Sequence, residues 1–369
     1  MKKGFAVLLT AAMAASLAAC GGSVSSGGAS DSASSASAKS SAASSVSEPA
    51  ASGSASSSAV SSGSGGDYTP AKDSYKIDVV LKTLSAEYWQ YVEAGCNAYA
   101  SDHPGVQVDV KGPTSETAFD EQTNMLTTDL AVDYDAYVIA PLQSDSVAQV
   151  MKDATAPVLA VDTDINADYI ASFVGTGNEN AAASGGKAAV QMAKDLGWDE
   201  IKCIEIAGVQ GDETCTARMN GYKKGVNEAG GEFLENEVQY ADATADKAVA
   251  AMEGIMSTHP EGIAIVAANN DDMAMAAART AAGNEAYKNT VFLGFNGDKS
   301  ACQAMADGTY TNYISVAQEA YGMGYKAVEA AVKAVDGVKL DRFTDSGSEI
   351  ITKDNAQERL DTLSSYLNS

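Results

Sequence analysis

From residue 75 to the end of the chain, short apolar runs alternate with amphipathic stretches. Runs at 76–81, 106–110, 136–140, 158–161 and 171–174, and again at 201–207, 233–240, 263–268, 291–295 and 313–316, have the length and β-branched content of buried strands. Between them, apolar positions recur at helical spacing over 87–103, 117–130, 145–154, 180–196, 215–229, 244–257, 271–282, 299–307, 318–335 and 355–366. Strict alternation of strand and helix predicts right-handed βαβ units and parallel sheets. Ten strands are many for one small sheet, so the economical reading is two doubly wound α/β domains. The stretch 175–180, with two Gly and two Asn, is a natural place for the chain to leave the first sheet.

The pattern also locates candidate chemistry. In open α/β sheets, ligands bind beyond the carboxyl ends of the strands. The run 263–268 turns at Asn269 and Asn270 into a helix starting near Asp271, where Asp271 and Asp272 suit the helix start. Asn270 then stands at a strand's carboxyl end, either as a turn residue or as a donor and acceptor for a polyhydroxylated ligand. Asp162, Asn296 and Gln318 stand just beyond three other strands, and Arg218 opens an Arg-x-x-Gly-Tyr sequence in the helix 215–229. Tyr88 and Trp89 are adjacent near the start of the first helix. Neighbouring rings cannot both face the core of one helix, so at least one is expected to face a cleft, where it could cover the C–H face of a sugar. The alternative is one core ring and one surface ring.

Composition narrows the function classes. The 369 residues include 49 acidic and 24 basic side chains, a formal charge of −25, which repels phosphate and argues against a nucleic-acid partner. Five cysteines are scattered without a C-x-x-C pair, so no metal site is expected. Cys96, Cys203, Cys215 and Cys302 are candidates for small core residues, though an exported protein could pair two of them. The two histidines, His103 and His259, each precede a proline at the end of a helical run and have no partner for a triad. Gly175-x-Gly177-x-x-Asn180 half-matches a dinucleotide fingerprint but lacks its third small residue, and an interdomain crossing is the favoured reading. No cofactor is called for.

The first residues have the form of an export signal. Lys2 and Lys3 precede the apolar run 5–17, and Leu17-Ala18-Ala19-Cys20 resembles a bacterial lipobox. Such signals imply cleavage before Cys20 and lipidation of its thiol, so that residues 1–19 form the signal peptide and Cys20 the membrane anchor. The tract 21–66 is almost wholly Ser, Ala and Gly, with too little apolar surface to offset the entropy of ordering. As a flexible tether it would span roughly 35–40 Å.

Taken in order, KIDVVLKTLSAEYWQYVEAG, VLAVDTD, the stretch 216–225, VAANNDDMAMAA, FLGFNGDKSA and YISVAQEAYGMGYKAVEA resemble the type I periplasmic sugar-binding proteins, the ribose- and galactose-binding receptors of ABC transporters. The resemblance covers roughly residues 75–352. It implies two doubly wound parallel-sheet domains joined by a three-crossing hinge: an N-terminal lobe of 73–177 plus 319–345 and a C-terminal lobe of 178–318 plus 346–369, with a linker over 20–72. It also implies that Tyr88 and Trp89 stack on the ligand and that Asp162 binds hydroxyls from the first lobe. Arg218, Asn270 and Asn296 would approach from the second lobe, with Gln318 at a hinge crossing. Ala86, Thr163 and Asn296 depart from the Asn, Arg and Asp of ribose binders, so ribose specificity does not follow. The implied molecule is a monomeric, lipid-anchored receptor on the outer face of the cell membrane, in a Gram-positive setting, delivering a monosaccharide or similar polyol to an ABC permease. The alternatives are a nucleoside or signal molecule on the same fold, or a surface-anchored enzyme acting on glycosides. The second needs two flanking carboxylates, and the sequence offers Asp162 few obvious partners.

Overall fold

Strand follows helix with little interruption through residues 68–366, the part of the chain described by this computed structural model, all of it within the unit Ser64–Ser369. The signal segment, the Cys20 lipidation site and the Ser/Ala/Gly tract lie outside the described residues. The first run is β1 (Tyr75–Val80), α1 (Glu87–Asp102), β2 (Val106–Lys111), α2 (Phe119–Asp129), β3 (Ala136–Ile139), α3 (Ser144–Met151), β4 (Val158–Val161) and β5 (Phe173–Gly175). The second is α4 (Asn178–Asp195), β6 (Lys202–Ala207), α5 (Glu213–Glu228), β7 (Glu232–Phe233), β8 (Gln239–Tyr240), α6 (Ala245–Thr258), β9 (Ile265–Ala268), α7 (Asp271–Ala281), β10 (Val291–Asn296), α8 (Lys299–Ala306) and β11 (Tyr313–Gln318). The chain ends with α9 (Ala320–Val335), β12 (Phe343–Asp345), β13 (Ser348–Ile351) and α10 (Ala356–Tyr366).

Two sheets result. One runs β12-β5-β4-β3-β1-β2, and the other β13-β11-β10-β9-β6-β7 with β8 also on β6. All pairings are parallel except β11 with β13. The strands β3, β4, β9, β10 and β11 are buried at every position, which is why each reads as a continuous apolar run rather than an alternating one. In each sheet the strand order reverses around the first strand, at β2-β1-β3 and at β7-β6-β9. That places a topological switch point at the carboxyl edge of both sheets. The chain passes between sheets three times: after β5, after β11 and after β12. Gly175 ends β5, and Gly177 lies in the first of these crossings as the N-cap of α4.

Helix packing in each lobe depends on a small residue. A Cβ on Gly324 of α9 would lie 2.0 Å from the Val92 carbonyl oxygen of α1. One on Gly225 of α5 would lie 2.0 Å from the Ala183 carbonyl oxygen of α4. Only the absence of a side chain lets these backbones touch. His103 and His259 are the C-caps of α1 and α6. All four cysteines among the described residues are buried and unpaired, so the disulfide left open by the sequence is not formed.

Several expectations change. The strand expected over 233–240 is two short pieces, because Glu235–Glu237, with no apolar side chain, forms a 3-10 turn between them. The edge strands β12 and β13 went unpredicted, since FTD and SEII are short and largely exposed and carry no apolar run. Helices α4 and α5 begin two residues earlier than their apolar periodicity, and Asp212 caps α5 by accepting from the Cys215 N–H. Among the described residues no helix is long and apolar enough to cross a membrane.

Candidate functional site

The carboxyl edges of the two sheets face one another across a shared cavity. Tyr88, Trp89, Asp162, Arg218, Asn270 and Asn296 all line it. Gln318 does not. It is fully buried at the end of β11, behind the wall, and donates from Nε2 to Asn296 Oδ1 at 3.0 Å.

From the first lobe, α1 presents both rings. Tyr88 and Trp89 are each at least 95% buried and meet edge to face with centroids 5.0 Å apart. Both line the cavity and both join the core, so the premise that neighbouring rings cannot both face the core does not hold. The first helical turn lies at the lobe's edge, where one ring can serve both surroundings. Tyr88 donates its hydroxyl to Asp162 Oδ2 at 2.7 Å, and Thr163 Oγ1 donates to Asp162 Oδ1 at 2.8 Å. Burial, reinforced by Asp162, pushes the Tyr88 phenol well above its ordinary value, so it stays a donor. Trp89 Nε1 donates to Glu116 Oε1 at 2.9 Å.

Asp162 and Asn296 occupy matching places, just beyond and at the end of the fourth strand of their sheets in the 2-1-3-4-5 order. Both have left-handed backbones, with φ of 63° and 115°. Non-glycine residues held there cost energy that the surrounding structure must supply, a pattern common at ligand sites. Here it turns each side chain toward the cleft.

From the second lobe, Arg218 is 8% exposed. It donates from Nε to Asn178 Oδ1 and from Nη1 to the Asn269 carbonyl, both at 2.8 Å. Its guanidinium lies over the Phe295 ring, 3.9 Å from the centroid. Nη2 has no acceptor among the described residues, leaving a fixed donor at the cavity wall. Asn270 is the N-cap of α7: its Oδ1 accepts from the Met273 N–H at 2.9 Å and its Nδ2 donates to the Ala243 carbonyl at 3.1 Å. Asp271 opens α7 at the expected helix start, but its carboxylate is fully buried behind the site rather than bonded to the helix's free N–H groups. It accepts from Tyr313 OH, Ser315 Oγ and the Asp298 N–H, and burial pushes its carboxyl up to about 7.

The sequence reading missed Lys82, Glu116, Asp212, Asp272 and Asp298, all on the cavity wall. Lys82 was findable: it ends the apolar run of β1 as Asp162 ends that of β4, at the edge the same rule marks. Burial works to lower the Lys82 ammonium, but the Asp212, Asp162 and Glu116 carboxylates outweigh it and hold it above its ordinary value. Lys82 forms an ion pair with Asp212 of the opposite lobe and donates to Thr214 Oγ1 at 3.3 Å. The Thr163 and Thr214 hydroxyls meet across the cleft at 2.6 Å, and Glu87 Oε1 accepts from the Lys299 N–H at 2.8 Å. The lobes are therefore closed on one another, around a cavity of about 50 Å³. The expectation that Asp162 has few acidic neighbours also fails, because four more carboxylates share the wall. Asp162, Glu116 and Asp212 are each held by a donor already named.

A family model described as a periplasmic binding protein domain matches residues 77–339. The ribose import binding protein of Bacillus subtilis is 26% identical over 274 residues, 73% of this chain and 85% of that protein. Its Escherichia coli counterpart is 27% identical over 277 residues, 73% of this chain and 87% of that one. Among solved structures, a solute-binding protein of an ABC transporter from Mycobacterium smegmatis with bound glycerol is 26% identical and covers 77% of this chain and 96% of its own, with a TM-score of 0.67. A carbohydrate transporter solute-binding protein from Agrobacterium radiobacter in complex with D-arabinose shares the fold at 24% identity and a TM-score of 0.70, covering 79% of this chain and 98% of its own.

Proposed function

Because the chain belongs to the periplasmic binding protein family, we propose that its cleft binds a monosaccharide or similar polyol and delivers it to the permease of an ABC importer. The observation that carries this reading is the composition of one cavity wall. Two edge-to-face aromatic rings from one lobe face Arg218, Asn270 and Asn296 from the other, an apolar face opposite a set of fixed donors and acceptors.

The work done is binding and closure. Ligand contacts both lobes only when they come together, so it favours the closed state by the contacts made there alone. The lobes are closed over this cavity by contacts across the cleft, so uptake needs them to part at the three crossings. Lys82–Asp212 and Thr163–Thr214 break as they do. The permease then reads the closed shape, and no bond in the ligand is made or broken. We also place the protein outside the cytoplasm, tethered by a lipid on Cys20, on the strength of the lipobox-like sequence.

Trp89 gives a direct test. The chain has two tryptophans, and Trp198 lies at the end of α4, bonded to the Asn289 carbonyl. In a Trp198→Phe variant, titration with a pentose, a hexose or a cyclitol should change the Trp89 emission saturably, and Arg218→Ala should shift the midpoint upward. No response to any sugar or polyol would contradict the reading.

A further inference from the structure

Neither cation of the cavity wall, Lys82 or Arg218, bonds to Asp298, and the nearby Arg359 is turned to the Gly297 and Gln318 carbonyls and Glu319. Lys82 is committed to Asp212. Arg218 is held by Asn178, the Asn269 carbonyl and the Phe295 ring. Asp298, on the same wall, is 4% exposed and stands at the N-cap of α8 without capping it by its side chain. Its only side-chain partner is Asn296 Nδ2, at 3.3 Å from Oδ2; Oδ1 has no donor among the described residues.

The surroundings make a lone carboxylate costly there. The Asp271 carboxylate sits behind it, accepting from the Asp298 N–H at 2.9 Å. Glu87 of the first lobe accepts from the next amide, Lys299 N–H, at 2.8 Å. Asp272 shares the cavity wall. Burial first, then Asp271, Glu87 and Asp272, push the Asp298 carboxyl well above its ordinary range. Burial raises the Asp272 carboxyl too, against the opposing Arg279 guanidinium along α7. A neutral polyol would leave Asp298 in the protonated form that burial favours, whereas a ligand cation would offset the burial and the neighbouring acids and stabilise the carboxylate.

We propose that the ligand is a sugar or polyol carrying an amino group, with its ammonium seated against Asp298 and Asp272 at the second-lobe end of the cavity. This rests on the sugar and polyol reading above and adds a charge to it. Asp298 is then the residue that sets specificity, while the aromatic pair and Asp162 handle the carbon skeleton and hydroxyls.

Calorimetry on the full chain at neutral pH decides it. The probes are D-glucosamine, D-galactosamine, D-mannosamine and D-glucamine, each paired with its neutral parent: glucose, galactose, mannose and sorbitol. The expected result is at least one amine bound roughly tenfold or more tighter than its parent. In Asp298→Asn, and separately in Asp272→Asn, that ratio should shrink toward one. If neutral sugars bind and no amine outcompetes its parent, the amine proposal falls and the sugar reading stands. If the amine preference survives in both variants, the seat assigned to the ammonium is wrong. If none of the eight compounds binds, the amine proposal falls, while the sugar reading is decided separately by the pentoses and cyclitols of the Trp89 titration.

Discussion

A few side chains decide whether this cleft binds anything. Arg218 offers its free Nη2 to the ligand from a position fixed by three protein contacts, so little entropy is lost when it engages. Arg218→Ala should therefore weaken ligand binding tenfold or more, about 1.4 kcal/mol, measured by calorimetry. Asn270→Ala should weaken binding and also cost about 1 kcal/mol of stability in a urea melt, because Asn270 caps α7. A second residue-scale prediction concerns pH. Glu205, fully buried in β6, is pushed up to about 8 by burial, with the Asn269 amide only partly opposing this. Its folded value lies above its ordinary 4.5, so between those values the folded state holds a proton the unfolded chain has released. That contribution is present in full below about 4.5 and is lost as pH rises through about 8. Asp78 and Asp271, both pushed up to about 7 by burial, act in the same direction. Melts from pH 5 to pH 8 should show stability falling, and Glu205→Gln should flatten the slope. A slope unchanged in the variant would mean Glu205 does not titrate in this range.

At the scale of elements, the pairs α1 with α9 and α4 with α5 are held by backbone contact at Gly324 and Gly225. Gly225→Ala places a methyl 2.0 Å from a carbonyl oxygen that cannot swing away, and should cost on the order of 1–3 kcal/mol in a denaturant melt. The helix α10 has a different task. Arg359 donates to the Gln318 carbonyl at 2.5 Å, to Glu319 Oε1 at 2.8 Å and, more loosely, to the Gly297 carbonyl at 3.4 Å. It thus ties the second crossing to the loop after β10. Arg359→Ala should destabilise the protein by about 2 kcal/mol, through lost charged hydrogen bonds. Most elements were legible because their signal is local: β4 and β9 are unbroken apolar runs, and α7 follows a turn of two asparagines. β12 and β13 were not, since Phe343–Asp345 and Ser348–Ile351 become strands only by adding to the edges of sheets already formed. The site divides the same way. Asp162 and Asn296 could be read as polar residues ending apolar strands. The pairing of Lys82 with Asp212, 130 residues apart, depends on how closely the two lobes approach, which no local pattern encodes.

For the whole molecule, the polar contacts across the cleft include Lys82–Asp212 on the cavity wall and, beside it, Thr163–Thr214 and Glu87 with the Lys299 N–H. Closing force and ligand recognition share Lys82 and Asp212, so a ligand that bridges the lobes there replaces or reinforces that ion pair. The central claim is that this cavity is a sugar or polyol site. The measurement that tests it most directly is a thermal-shift screen of the full chain against pentoses, hexoses, amino sugars, polyols, nucleosides and amino acids. A ligand at 100 times its dissociation constant adds about 2.7 kcal/mol to the folded state, a rise of a few degrees for a protein of this size. The account predicts such a rise with a member of the sugar and polyol group and its reduction in Arg218→Ala. A rise confined to nucleosides or amino acids, or one untouched by that substitution, would contradict it.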